Sequence, residues 1–161
     1  KAITTVGSAQ KVALVKSWGI DLVLNYKTDD VPARVKDFTG GQGVDVWYET
    51  QREFDLVRTI DLMKKRGRIV LIAGRNAQPT LPVGPFYVKR MSMFGFSLFE
   101  ATPDEQRKGA EEIGRWLAEK KLRVAIGKEF PLSETAAAHR LLEDNTMHKA
   151  GTLAGKVVIV P

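Results

Sequence analysis

The feature that most limits how this chain can fold is a regular alternation of short, β-branched apolar runs with stretches at helical spacing. Ala2-Ile3-Thr4-Thr5-Val6 ends at Gly7 and reads as a strand. Ser8 then stands at the N-cap of a helix over residues 9–18, closed by Gly19. Val12, Ala13, Val15 and Trp18 recur with the helical period and predict one buried stripe. Asp21-Leu22-Val23-Leu24-Asn25-Tyr26 is a second strand. Asp29 or Asp30 caps the next helix, which carries Pro32 in its first turn and stops at Gly40-Gly41. Val44-Asp45-Val46-Trp47-Tyr48 is a third strand. A helix with Phe54, Leu56, Val57, Ile60, Leu62 and Met63 follows and ends at Arg66-Gly67. Arg68-Ile69-Val70-Leu71-Ile72-Ala73 is nearly all apolar, which suits a parallel strand covered on both faces.

The second half repeats the pattern. Residues 76–85 form a proline-containing loop, and Met91-Ser92-Met93-Phe94-Gly95-Phe96-Ser97-Leu98-Phe99 is a fifth strand. Thr102 caps a long helix whose first turn holds Asp104 and Glu105, and which runs to about residue 121. Residues 124–130 are extended, Ser133 caps a helix reaching residue 143, and Lys156-Val157-Val158-Ile159-Val160 is a closing strand. Strands alternating with helices imply an α/β fold with a parallel sheet and right-handed crossovers. No repeat, low-complexity tract or linker divides the 161 residues, so one domain is expected.

Composition narrows the partners. Hydrophobic residues are 43% and charged residues 27% of the chain, ordinary for a globular protein. No apolar run is long enough to span a bilayer, and no secretory leader pattern follows Lys1. With no cysteine there is no disulfide, no thiol nucleophile and no thiolate zinc site, and a cytoplasmic location is expected. The net charge of +6 is spread along the chain, with only short clusters such as Lys64-Lys65-Arg66 and no interleaved aromatics. Surface charge plus a site for a phosphorylated small molecule is favoured over nucleic acid.

Parallel sheets bind ligands beyond the carboxyl ends of their strands. The residues there are Gly7-Ser8, Tyr26, Glu49-Thr50 and Gly74-Arg75. A dinucleotide fold places an acid after its second strand to hold the adenosine ribose, whereas enzymes that use the 2′-phosphate put neutral or basic groups there. Val6-Gly7-Ser8-Ala9-Gln10-Lys11 contains no acid. Ser8 can donate a hydrogen bond, the helix N-terminus attracts an anion, and Lys11 adds a charge one turn later. The residues alone also allow a plainer account, in which Ser8 is only an N-cap and Lys11 only exposed.

Val6-Gly7-Ser8-Ala9-Gln10-Lys11, Gly19 and Leu24-Asn25-Tyr26 resemble the quinone oxidoreductase branch of the medium-chain, zinc-type alcohol dehydrogenase superfamily. The likeness continues in order through Thr39-Gly40-Gly41-Gln42-Gly43-Val44-Asp45-Val46, Gly67-Arg68-Ile69-Val70, Phe130-Pro131-Leu132-Ser133, Ala138-His139 and Gly155-Lys156-Val157-Val158. It implies that Ser8, Lys11 and Tyr26 lie at the 2′-phosphate and adenosine positions of NADPH. It also implies that Glu49, Thr50, Gly74 and Arg75 belong to the cofactor edge, with Gly74 admitting a close backbone approach. Arg75 reaches either a phosphate or solvent.

Two departures stand out. Tyr48-Glu49-Thr50-Gln51-Arg52 keeps the acid and hydroxyl of the family's strand end but has Arg52 in place of its glycine. No G-x-G-x-x-G occurs anywhere. The resemblance therefore implies a Rossmann-like parallel sheet lacking its first strand and Gly-rich loop. The chain would be a truncated NADP-binding domain with the parent enzyme's closing helix and strand, inert by itself. With strand order 3-2-1-4-5-6, the middle of the sheet opens. A missing segment, another chain, or collapse of the strand of Val6 onto that of Val46 would fill it. His139 and His148 have no companion ligands, so no metal site is expected. The intact parent would transfer hydride from NADPH to an activated carbon–carbon or carbonyl bond of a small molecule, with no obligatory side-chain acid or base. The apolar strand from Met91 to Phe99 would be an edge that pairs two subunits through Phe94-Gly95-Phe96, unless the loop with Pro79, Pro82 and Pro85 covers it. The rival reading is a non-enzymatic nucleotide-sensing α/β module; a methyltransferase-like fold would want an acid where Gly7-Ser8 stands.

Overall fold

A computed structural model describes residues 1–148 and 150–161. They form two compact units, Lys1–Val6 with Val12–Ala101, and Gly7–Lys11 with Thr102–Pro161. The expected α/β class is observed, and every strand pair is parallel. No helix among the described residues is long and apolar enough to cross a membrane.

In the first unit β1 (Ile3–Val6) pairs with β2 (Leu22–Asn25), Ile3 opposite Leu22 and Val6 opposite Asn25. The helix α1 (Ala9–Lys16) connects them. Its expected buried stripe is corrected: no residue of α1 is buried, and Trp18 is 52% exposed beyond its end. The helix α2 (Val31–Phe38) is capped by Asp30, whose carboxylate accepts from the Ala33 amide at 3.1 Å. Asp29 instead closes the preceding turn, accepting from the Asn25 amide at 2.8 Å.

A second sheet in this unit has the order β3-β4-β5, with β3 Val44–Glu49, β4 Met63–Leu71 and β5 Ser92–Gly95. The helix α3 (Leu56–Leu62) stops well before the expected Arg66-Gly67. The short α4 (Val83–Val88) lies partly in what the sequence suggested was loop. Its Lys89 explains the early stop of α3. The ammonium donates to the carbonyls of Ile60, Asp61 and Met63 at 2.7, 2.9 and 2.8 Å, closing the end of α3 from outside. The chain then enters β4 directly, with a register irregularity opposite Val44 and Val46. Arg66 takes a left-handed φ of 62° in that irregularity, so Lys64-Lys65-Arg66-Gly67 is a bulged strand rather than a helix end.

Two apolar clusters organise the unit. Leu56, Ile60, Met63, Ile69 and Met91 form one, and Leu24, Val35 and Leu62 the other; Val44 and Trp47 pack against both. Lys36 on α2 pairs with Asp61 on α3 at 2.9 Å. Its ammonium holds the Asp61 carboxyl below the usual carboxylate range. The pair is exposed, so its contribution is small.

The fifth strand is shorter than the sequence suggested. After Gly95 only the Phe96 amide still reaches β4, donating to the Leu71 carbonyl at 3.0 Å, and Leu98–Glu100 turns into 3₁₀ geometry. β5 is the edge of its sheet, as expected.

In the second unit, α5 (Pro103–Ala118) begins with a full capping box. Thr102 Oγ1 accepts from the Glu105 amide at 3.3 Å, and the Glu105 carboxylate accepts from the Thr102 amide at 2.8 Å. Those Thr102 donors lower the Glu105 pKa below its ordinary value. β6 (Ile126–Pro131) pairs with β7 (Lys156–Val160), and α6 (Thr135–Thr146) connects them. Ser133 does not cap α6: residues Leu132–Glu134 make a 3₁₀ turn, and the N-cap position falls to Glu134 without a side-chain bond. The Asn145 side chain pins the return segment, accepting from the Leu153 amide at 2.8 Å.

Candidate functional site

Because all strands of the first unit are parallel, each sheet presents its carboxyl ends on one edge. At the end of β2 the Tyr26 amide donates to the Val6 carbonyl at 3.0 Å, so the tyrosine stands beside the terminus of β1, half exposed. Ser8 does act as an N-cap: its Oγ accepts from the Lys11 amide at 3.3 Å. Both functions expected of Ser8 are compatible, because a hydroxyl that accepts one bond keeps its proton to donate.

A cleft of about 810 Å³ lies between β1 and β3. Ile3, Thr4 and Thr5 form one wall, β3 with Thr50 and Gln51 the other, and Val31, Val35 and Phe38 of α2 also line it. Among the described residues β1 pairs in a ladder only with β2, and β3 only with β4. Pairing of β1 with β3, one of the three ways considered for filling the gap, is therefore not adopted. Each strand keeps one edge without ladder partners toward the cleft.

Glu49 and Thr50 meet the cleft at the carboxyl end of β3. Glu49 is buried, and its carboxylate takes two bonds. Oε2 accepts from the Trp47 indole at 3.0 Å and Oε1 from the Gln51 amide at 2.9 Å. Sequence reading missed this constellation, although the two-residue period of a strand puts Trp47 and Glu49 on the same face.

Gly74 follows β4 with φ 82°. A Cβ there would lie 2.6 Å from the Phe54 ring and 3.2 Å from the Arg52 carbonyl oxygen. The glycine is thus required by packing against the loop after β3 as well as by its left-handed backbone. The loop after the Glu49-Thr50 turn thus packs against Gly74 through Arg52 and Phe54, while neither Gly74 nor Arg75 lines the cleft. Arg75 is exposed.

The family model described as zinc-binding dehydrogenase matches residues 18–159. The chain belongs to that family. It is 28% identical over 162 residues to quinone oxidoreductase 1 of Escherichia coli strain K12, covering 95% of this chain and 49% of that protein. To human quinone oxidoreductase it is 25% identical over 162 residues, covering 99% and 47%. The chain thus spans about half the length of these relatives. Among solved structures, it superposes on 2-haloacrylate reductase with a TM-score of 0.78 and 26% identity, covering 99% of this chain and 49% of that one. It superposes on Escherichia coli quinone oxidoreductase complexed with NADPH with a TM-score of 0.76 and 27% identity, again covering 99% and 49%. The Rossmann-like parallel α/β architecture is shared with these structures.

The family's name implies zinc, and the donor set here does not fit it. The chain has no cysteine, and among the described residues no three of His, Asp or Glu gather as a metal would require. No metal-dependent step can be built on these residues.

Proposed function

We propose that this chain is the cofactor-binding part of an NADPH-dependent oxidoreductase, of the quinone- or enone-reducing kind, acting on an activated carbon–carbon or carbonyl bond of a small molecule. When bound, NADPH supplies the hydride, and the protein supplies orientation and charge. The observation that carries the reading is the start of α1. An uncharged strand end leads into a serine cap, with a lysine amide bonded to that cap at 3.3 Å. Ser8, Lys11 and the helix N-terminus would receive the 2′-phosphate, Tyr26 would shield the adenosine, and Thr50, Gly74 and Arg75 would flank the rest of the nucleotide. The likeness to an NADPH-complexed quinone oxidoreductase supports the cofactor.

Lys11→Ala is expected to weaken NADPH binding about tenfold, the loss of one charge-assisted contact, and to leave NADH unchanged. Fluorescence titration of both nucleotides against the full-length protein measures this. Equal wild-type affinity for the two would remove the 2′-phosphate reading.

We also infer that a further extended segment lies in the cleft and joins the two sheets. Strands pack about 4.8 Å apart, and the free edges of β1 and β3 offer it donors and acceptors on both sides. The third element of the proposal is a homodimer through β5. Its outer edge is unpaired, and Phe94, Phe96 and Phe99 are 50, 54 and 96% exposed. Light scattering of the full-length protein is expected to give twice the chain mass, and Phe94→Lys to halve it; a monomeric wild type would refute this interface.

A further inference from the structure

We infer that Glu49 is a positioning residue, not a nucleotide contact: its carboxylate latches the turn after β3 so that Thr50 and Gln51 face the cleft. The inference deepens the nucleotide-binding reading above and rests on it.

Glu49 is the last residue of β3 and is only 3% exposed. Its backbone carbonyl accepts from the Ile72 amide at 3.3 Å, which ties it to the end of β4. Its side chain is engaged at both oxygens, by the Trp47 indole at 3.0 Å and the Gln51 amide at 2.9 Å. Both carboxylate oxygens are held by protein donors and the residue is almost wholly buried, so the group serves first to fix the turn. Thr50 and Gln51, by contrast, are exposed and line the cleft.

The arrangement transmits rigidity. Trp47 packs against both apolar clusters, so its indole N–H is fixed by the core. Glu49 takes that fixed donor with one oxygen and holds the Gln51 amide with the other. Hydrogen bonds to a carboxylate are about twice as strong as neutral ones, which suits a turn tied to the core through one side chain. Glutamine in the same place could accept at only one atom, and its NH₂ would face a donor. The core would then no longer dictate where residues 50 and 51 sit.

The test is NADPH affinity of the full-length protein with Glu49→Gln, Thr50→Val and the double variant. Glu49→Gln is expected to weaken binding about tenfold. The double variant is expected to bind no more weakly than Glu49→Gln alone, because Thr50 is already misplaced. Additive losses, or a lowered melting temperature with unchanged affinity, would overturn the latch. Should Glu49→Gln not fold, Trp47→Phe deletes the fixed donor alone, and a loss of affinity is again expected; an unaltered affinity overturns the inference. If the wild type binds neither NADPH nor NADH, the functional reading fails instead. Amide exchange at Gln51 then decides the latch: slower exchange in the wild type than in Glu49→Gln upholds it, and equal rates dismiss it.

Discussion

A Gly43→Ala variant is expected to lose about 3 kcal/mol of stability or more, the sum of left-handed strain and overpacking. Gly43 sits just before β3 with φ 83°. A Cβ there would lie 2.5 Å from the Leu62 carbonyl oxygen, 2.7 Å from the Met63 carbonyl carbon and 2.8 Å from the Lys64 amide nitrogen. All three are backbone atoms at the junction of α3 and β4, where the Lys89 ammonium already holds the chain. None can swing aside as a side-chain tip could. Gly43 is also bonded on its own amide, which donates to Thr39 Oγ1 at 3.2 Å. Gly41 provides the control. Its φ is 74° but nothing lies within 4 Å of a Cβ there, so Gly41→Ala should cost only the backbone term of about 1–2 kcal/mol. Urea denaturation of the two variants measures the difference. Equal losses would mean that the α3–β4 junction yields.

The second large effect is expected from Lys89→Met, about 2–3 kcal/mol of destabilisation. One half-buried ammonium serves three carbonyls at the α3–β4 junction, at 2.7, 2.9 and 2.8 Å, of which that of Ile60 also accepts the Met63 amide. Methionine keeps the aliphatic stem and removes every donor, so the loss isolates the polar term. Hydrogen exchange should show α3 opening more readily, with β2 unaffected. Lys89→Arg should recover only part, because a planar guanidinium cannot aim its N–H groups at three oxygens as a compact ammonium does. Unchanged stability in Lys89→Met would show that water replaces the ammonium at no cost.

Much of the fold was legible because the apolar period changes from two to helical spacing at each Gly or capping residue. Val44 to Tyr48 and Lys156 to Val160 were found nearly to the residue. Several of the errors turn on tertiary packing that the local pattern does not carry. Lys64-Lys65-Arg66-Gly67 looks like a basic helix end followed by a glycine stop. Lys89 ends α3 earlier, however, and the four residues bulge along β4. Trp18 fits an apolar stripe, yet α1 buries none of it. The strand after Met91 ends at Gly95 because its backbone loses β4 as a partner, although its residues remain β-prone to Phe99. At the candidate site the serine cap and the strand ends were visible from residue type. The Glu49 carboxylate was visible only as an acid, since its bonds depend on Trp47 being fixed by the core.

Every ladder among the described residues joins strands that are neighbours along the chain: Ile3 with Leu22, Val46 with Arg68, Arg68 with Ser92, Lys128 with Val157. Each therefore needs only one helix-length loop to close, and none waits for a distant strand. The sole interruption inside the first unit falls between β2 and β3, which share no hydrogen-bonded register. The cleft between β1 and β3 is thus the one boundary in the first unit that no ladder between chain neighbours closes.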